Sequence, residues 1–575
     1  MLCVKANSAA ASYRVEIDAP PPLHDLLAQH LDLVRDQARG DLSDDQFKFL
    51  VDTVGEQVKQ LTSTEGYFTP STKVDIEQVS GQRVVRLHVD ANQRTMVTSA
   101  AIDVIGTIRQ EAQQRADDLA KHWSLPAGRP FRQADWDSAK DGALQSLQKQ
   151  RYAAARITRS EALIDPEQGA AQLAVQYDSG PGFTLGELKI GGTRRYPDSI
   201  IRNVNPLHVG EEYAVERLLE LQRQIQKTPY FGNVIIAIDD DPAHADQAPV
   251  KVEVTEFPAQ RIRAGTGYSS DTGAHVEGRY SYYNLFQRAW VFDSQIKLEQ
   301  KRQFGSIGLD LPPDQQSYVN GASSSYERTT LQGIDLRSAR VGFKRARSYE
   351  KYDTAFTLDY FLDDLQQINN TPLPNDTIAS PGRHRAMVPG FSWTRRNVDN
   401  PMFPRSGNIV SAQTGFAVSR LLTDQSFVRG YGRIKHYLPI GSRDSIVLRG
   451  EMGAVFTVGG GAAIPASLLF RAGGSDSVRG YGNQSIGNLQ NGTVFPTKYL
   501  LTASTEYQHW ISPEWGGAVF YDVGTAADNW FGRTIYQGVG AGARWLSPVG
   551  PLNVDLAYGV EVRKMRLHVS LGIAF

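Results

Sequence analysis

From Arg261 to the end of the chain, apolar and polar residues alternate in short segments, the period of strands whose two faces meet different surroundings. Sixteen such segments fall near 261–269, 275–285, 289–300, 301–311, 316–330, 333–347, 352–362, 385–395, 407–418, 427–439, 444–457, 498–509, 516–523, 537–546, 551–560 and 566–575. Strand plus connection then averages about 20 residues, the spacing of a membrane β-barrel with short turns at one end and longer loops at the other. In the last segment Leu567, Val569, Leu571, Ile573 and Phe575 alternate with His568, Ser570, Gly572 and Ala574. A soluble sheet packed on a core gives the same alternation; the aromatic residue ending the apolar face fits an interfacial girdle. In lipid no water satisfies an open edge, so such a sheet must close.

Before Gln260 the pattern is different: helical spacing and strands recur in the order βααββ. The first copy has a strand at Tyr13–Ile17, helices at Pro22–Val34 and Ser43–Leu61, and a hairpin of Lys73–Val79 and Arg83–Val89 around Ser80-Gly81-Gln82. The second has a strand at Met96–Ile105, helices at Gly106–Trp123 and Phe131–Lys149, and strands at Ala153–Arg159 and Ala170–Tyr177. The third has a strand at Thr184–Ile190, helices at Asp198–Val204 and Ala214–Gln226, and strands at Val234–Ile238 and Val250–Val254. The expected fold class is a membrane β-barrel of 16 antiparallel strands preceded by three α+β units, at 12–92, 93–182 and 183–259, with the barrel at 260–575. Open sheet edges remain on such units and suit docking of another extended chain.

Composition sharpens the division. Residues 1–259 hold 15 glycines and 7 tyrosines, residues 260–575 hold 37 and 17. With 61 basic and 62 acidic residues the chain supplies no global field for nucleic acid, and no nucleic-acid partner is expected. The longest stretch without charge, Met452–Phe470, contains Gly453, Gly459, Gly460, Gly461 and Pro465, which disqualifies it as a membrane helix. Met1-Leu2-Cys3-Val4 is too short for an apolar leader, yet Asn7-Ser8-Ala9-Ala10-Ala11 looks like the tail of one. Residues 1–11 are therefore expected to be a signal remnant, with the mature chain starting near Ser12 or Tyr13 and Cys3, the single cysteine, lost. No metal-ligand, phosphate-loop or nucleophile motif occurs, so neither cofactor, metal nor catalytic residue is expected. Gly538, Gly540 and Gly542 alternate within one strand and read as thin wall.

The longest barrel connection, 458–497, carries Phe470-Arg471-Ala472-Gly473-Gly474 and then Val478-Arg479-Gly480-Tyr481. That tetrapeptide resembles the loop-six signature of the outer-membrane assembly and two-partner secretion superfamily, to which BamA and TamA belong. The resemblance implies a loop folded into the barrel, its arginine paired with the aspartate of an F-x-D-x-G motif on strand thirteen. Phe520-Tyr521-Asp522-Val523-Gly524 matches that motif. A guanidinium forking onto a carboxylate would anchor the loop, in a lumen wet enough that the pair is not expected to count as a buried bridge. Alanine at Arg479 or Asp522 is expected to weaken the fold to a similar degree. Val428-Arg429-Gly430-Tyr431 repeats the four letters but continues as an alternating strand and reads as wall.

Asp399-Asn400-Pro401-Met402-Phe403-Pro404-Arg405-Ser406-Gly407 resembles the superfamily's periplasmic turn entering strand nine, and Ser547-Pro548-Val549-Gly550-Pro551-Leu552-Asn553-Val554-Asp555-Leu556-Ala557 its turn between strands fourteen and fifteen. The N-terminal units resemble POTRA domains, with Tyr230-Phe231 similar to the usual wording in the third; three of them with this loop look most like the TamA branch. What the resemblance implies is an outer-membrane assembly factor with its POTRA domains in the periplasm. Its implied partners are a TamB-like inner-membrane-anchored periplasmic protein, client outer-membrane proteins and the lipid bilayer. The working part is expected at the seam of first and last strands, with Ile262, Gly265 and Gly267 on one side and Leu571, Gly572 and Phe575 on the other. Few side chains support pairing there. A polypeptide-exporting channel of the two-partner secretion type is the alternative.

Overall fold

A computed structural model describes residues 13–571 except 40, 80–81, 350, 369–378, 402, 420–421, 458–462, 531–533 and 548–549. Residues 1–12 with Cys3, Ser80, Gly81, Met402, Pro548, Val549, Gly572 and Phe575 lie outside the described residues. The chain divides into two compact units whose cut passes through the third repeat; the barrel belongs to the second.

The first repeat consists of β1 (Tyr13–Asp18), α1 (Pro21–His30), α2 (Asp32–Arg35), α3 (Asp44–Thr64), β2 (Ser71–Val79) and β3 (Gln82–Asp90). Its sheet order is β1-β3-β2, with β1 parallel and β2 antiparallel to β3. Leu23 and Leu27 of α1 and Val54 and Val58 of α3 bury against Val85 and Leu87 of β3, the helical period of four meeting the strand period of two. Ser43 caps α3 in a reciprocal capping box with Gln46, an arrangement of about 1 kcal/mol. The single helix expected over 22–34 is broken at Leu31, whose extended backbone starts α2 afresh while its side chain stays in the core.

The second repeat follows with β4 (Met96–Ile105), α4 (Ile108–Glu111), α5 (Gln113–Lys121), α6 (Gln133–Gln148), β5 (Arg156–Asp165) and β6 (Ala170–Asp178), in sheet order β4-β6-β5. Here too the first expected helix is interrupted, at Ala112, where the backbone leaves the helical region. The third comprises β7 (Leu185–Gly191), α7 (Ser199–Asn203), α8 (Val215–Gln226), β8 (Phe231–Ile238) and β9 (Ala248–Glu256), in order β7-β9-β8.

Sixteen strands then form one antiparallel sheet in chain order. They are β10 (Gln260–Ser269), β11 (Gly273–Leu285), β12 (Trp290–Glu299), β13 (Arg302–Asp310), β14 (Val319–Leu331), β15 (Ile334–Ser348), β16 (Tyr352–Gln367) and β17 (Gly382–Val398). These continue as β18 (Gly407–Ala417), β19 (Phe427–Ile440) and β20 (Asp444–Thr457). The connection after β20 carries a small hairpin, β21 (Asn488–Gln490) and β22 (Thr493–Phe495), and the wall resumes with β23 (Tyr499–Trp510), β24 (Trp515–Ala527), β25 (Tyr536–Ser547), β26 (Gly550–Gly559) and β27 (Lys564–Leu571). Ile262, Val276, Ile296, Phe343, Phe456 and Leu567 stand exposed on the outer face, which is what a wall immersed in hydrocarbon requires. No helix among the described residues is long and apolar enough to cross a membrane.

Within the second unit, three contacts fasten parts of the third repeat to barrel turns. Tyr230 OH donates to the Ala289 carbonyl at 2.7 Å, Asn203 Nδ2 to that of Pro313 at 2.7 Å, and Ser317 Oγ to that of Asn203 at 2.6 Å. At the barrel entry Glu256 Oε1 accepts N–H groups of Arg194, Arg195 and Tyr196 at 2.8, 2.7 and 3.0 Å. Burial would raise the Glu256 pKa, but these donors outweigh it and hold it below the usual carboxylate range.

The turn into β18 is built on one carboxylate. Asp399 Oδ1 accepts the backbone N–H of Asn400, Arg405 and Ser406 at 2.9, 3.0 and 3.1 Å, and the bonds from Ser406 and Arg405 hold its pKa below the ordinary value. A depressed native pKa means the contribution is complete above the unfolded-state value of about 3.9 and is lost as the pH falls through the native one. Amide exchange at Arg405 and Ser406, corrected for intrinsic rate, should therefore accelerate on acidification below that range. Asp399→Ala should give the same acceleration at neutral pH; unchanged protection in both cases would refute the assignment.

Candidate functional site

The connection after β20 folds back among the inward side chains of the wall. Phe470, Val478, Tyr481, Ile486 and Phe495 bury with Ile334, Val455, Leu500 and Ala526 of the strands. Backbone bridges between Phe470 and Thr497 and between Ala472 and Ile486 close the connection into a compact body. Apolar packing thus offsets part of the ordering entropy that a long loop loses.

At its tip Arg479 and Asp522 are brought together in two-pronged fashion: Nε to Oδ2 at 2.7 Å, Nη2 to Oδ1 at 2.9 Å, with the Arg479 backbone N–H adding a bond of 3.0 Å to Oδ2. The guanidinium also reaches Glu506 Oε2 at 2.7 Å and Asp555 Oδ2 at 3.1 Å. Arg544 clamps the same two acids from the other side, at 3.0 Å to Glu506 and 2.5 Å to Asp555. The Phe520 ring lies against the Arg479 guanidinium, centroid 3.3 Å away. The Arg479 side chain is 3% exposed and that of Asp522 0%, so the expectation of a half-wet pair is corrected. The Phe520 ring covers one face of the guanidinium, and Arg544 holds the two further acids beside it.

Glycines set the approach. A Cβ at Gly538 would stand 2.0 Å from the Arg479 carbonyl oxygen, one at Gly540 2.5 Å from the Phe520 ring, and one at Gly542 1.9 Å from the Asp555 carboxylate. The alternating glycines expected as thin wall are cut-outs for the loop tip and its partners. Gly480 N donates to His568 Nε2 at 2.9 Å, and Tyr481 OH donates to the Glu561 carboxylate, with the Gln537 carbonyl 3.0 Å away as a second acceptor within reach. Gly524 faces Val478 from β24. The second copy, Val428 to Tyr431, is wall in β19.

Sequence reasoning missed Glu506, Arg544, Asp555 and His568. A signal was there: each occupies an inward position of an alternating strand, and in register Asp555 stands opposite both Gly542 and His568.

The seam differs from the weak pairing expected. Among the described residues β10 and β27 share no ladder: the sheet order begins at one and ends at the other. The two edges lie side by side, and the hydrogen bonds joining them among the described residues are Ser270 N donating to the Val569 carbonyl at 3.4 Å and Val569 N donating to Ser270 Oγ at 3.1 Å. Gly265 and Gly267 face Glu277 and His275 of β11, Ile262 is 77% exposed outward, and Leu571 pairs with Leu552 of β26. The loop spans the gap. Ser475 N and Oγ donate to Asp271 Oδ2, just after β10, at 3.1 and 2.8 Å, while Gly480 holds His568 of β27.

The Omp85 superfamily domain matches residues 259–575, over half of the chain. The chain belongs to the Omp85 superfamily. A second match, to the POTRA family described as surface antigen variable number repeat, covers residues 183–256. The chain is therefore an outer-membrane barrel protein with POTRA structure on the periplasmic side. Curated relatives include the outer membrane protein assembly factor BamA of Nitratidesulfovibrio vulgaris, 22% identical over 66% of this chain and 49% of that protein. That of Neisseria meningitidis is 20% identical over 74% of this chain and 61% of its own length. The chain thus spans about half to three fifths of these relatives. Among solved structures, Haemophilus ducreyi BamA lacking POTRA domains 1–3 superposes with a TM-score of 0.63 at 16% identity, over 83% of this chain and all of that one, a likeness of fold.

Proposed function

We propose that this protein is an assembly factor of the TamA type, which helps β-barrel or autotransporter-type clients into the outer membrane through the β10–β27 seam. The observation that carries the reading is the missing ladder. Among the described residues, which end at Leu571, β10 and β27 share no ladder, and one long backbone hydrogen bond, from Ser270 just past β10 to Val569, joins the two edges. Unpaired backbone groups in hydrocarbon cost several kcal/mol each, so both edges favour an added strand that restores pairing. A client strand supplies one. No nucleotide is needed, since the pairing energy comes from the client itself.

The βααββ order in all three repeats supports three POTRA domains, and their free edge strands β2, β5 and β8 suit an extended partner. In this reading a TamB-like periplasmic protein anchored in the inner membrane docks on the third repeat. The export-channel alternative needs the loop to leave the lumen, against the buried charge cluster at Arg479.

The test locks the seam. Ser270→Cys with Val569→Cys, in a Cys3→Ser background, should form a disulfide that abolishes client insertion into liposomes, with activity restored by reductant. Undiminished insertion with the seam locked would exclude the mechanism, and a conductance rise with export of a dedicated polypeptide would favour the channel.

A further inference from the structure

Within the barrel lumen, on the side of the short turns, a cavity of about 780 Å³ lies beneath the loop tip. Its wall is charged unevenly. Arg405, Lys435, Arg443, Arg449, Arg479 and Arg544 line it, against the carboxylates of Asp476, Glu506 and Asp555. Asp522, forked by Arg479 just behind the lining, still leaves the cations in excess by two.

The existing ion pairs account for part of this set. Arg479 and Arg544 are spent on Glu506, Asp555 and Asp522. Arg449 comes no nearer than 3.6 Å to Asp522, which Arg479 already holds, and otherwise bonds to Ser504 Oγ at 3.0 Å. The Lys435 ammonium and the Arg443 guanidinium make no hydrogen bond or ion pair with any described residue, and no ion pair joins Asp476 to either. In register, Lys435 stands directly opposite Arg449 on β20 and Ile409 on β18, so its cross-strand neighbours are a like charge and a hydrocarbon.

Like charges opposed across a ladder are destabilising. Confined between low-dielectric walls, such an excess focuses field on the cavity and concentrates counter-ions. Pro404, Ile409, Trp510, Ile511 and Trp545 add an apolar rim that an ordinary solvated salt cluster does not have. The mouth is framed by the turn built on Asp399 and by the β19–β20 and β23–β24 turns, so the cavity opens to water at the periplasmic end and not to lipid.

We propose that this cavity is a binding site for a small soluble oxyanion, phosphate- or carboxylate-bearing, held by Lys435, Arg443 and Arg449. The site stands apart from the seam and does not depend on how the seam works. Bound there, the anion relieves the Lys435–Arg449 repulsion and sits within reach of the loop tip, because Arg449 Nη1 also donates to the Ser475 carbonyl at 3.4 Å.

The experiment is calorimetric titration of the full chain in neutral detergent with inorganic pyrophosphate and with citrate, repeated at high salt. Saturable binding is expected, weakened at least about tenfold by Lys435→Gln, further by Lys435→Gln with Arg443→Gln, and retained by Lys435→Arg. A tenfold loss corresponds to about 1.4 kcal/mol. Folding of each variant is checked by its heat-modifiable gel mobility, and quenching of Trp510 and Trp545 gives a second readout. No saturable binding of either probe, or equal binding by Lys435→Gln, overturns the proposal. Binding seen only with vesicles of anionic lipid also overturns it, since the cavity would then not be a site for a soluble ion.

Discussion

Arg479→Ala is expected to destabilise the barrel by about 3–5 kcal/mol, the range for removing one partner of a buried ion pair. The reason lies in what it leaves behind. Without that guanidinium, Asp522, Glu506 and Asp555 face one enclosed space, with Arg544 holding two of them and Arg449 still 3.6 Å from the third. Asp522→Ala should cost less, because Arg479 keeps Glu506 and Asp555. The equal losses expected from an isolated pair therefore give way to an ordered series. The double variant should be no worse than Arg479→Ala, as it removes the carboxylate that the single change strands. Urea unfolding in detergent, read by heat-modifiable mobility, with protease access to the 463–497 segment, measures both. Strictly additive losses would mean that the two side chains do not interact.

A second large effect separates two copies of the same four letters. Gly480 has φ of +91°, and a Cβ there would stand 2.6 Å from the Gly559 backbone nitrogen. Gly430, in the other copy, has nothing within 4 Å of its Cβ position. Gly480→Ala should therefore lift the loop tip from the wall, costing about 1–3 kcal/mol from overpacking and more from the left-handed backbone. Gly430→Ala should change stability by less than about 0.5 kcal/mol. Gly538→Ala, aimed at the Arg479 carbonyl from the facing strand, should resemble Gly480→Ala in protease access. Equal behaviour of Gly430→Ala and Gly480→Ala would show that the tip does not rest on Gly559.

Strand positions were legible because alternation over ten or more residues is a strong periodic signal. Strand β20 spans the Asp444–Thr457 expected from pattern alone, and β4 the Met96–Ile105. Helix breaks at Leu31 and Ala112 were not legible, since apolar spacing continues through both and only packing interrupts the backbone. At the site, Arg479 and Asp522 stood out through motifs carried on single segments. Glu506, Arg544 and His568 carry no local motif, Asp555 lies in a segment that reads only as a turn, and the four sit on β23, β25, β26 and β27. Their meeting depends on register across β23 to β27, which pattern on one strand does not fix.

By itself, then, the sequence determined the sixteen-stranded wall, the repeated α+β order before it, and the two segments that carry Arg479 and Asp522, because periodicity and short motifs are properties of one stretch of chain. Only the tertiary structure decided that the pair is buried, that glycines on β25 are cut-outs for the loop tip, that the first and last strands share no ladder among the described residues, and that Lys435 stands opposite Arg449 in register. Each of these is a distance between residues far apart in sequence, set by how a closing sheet brings inward side chains together.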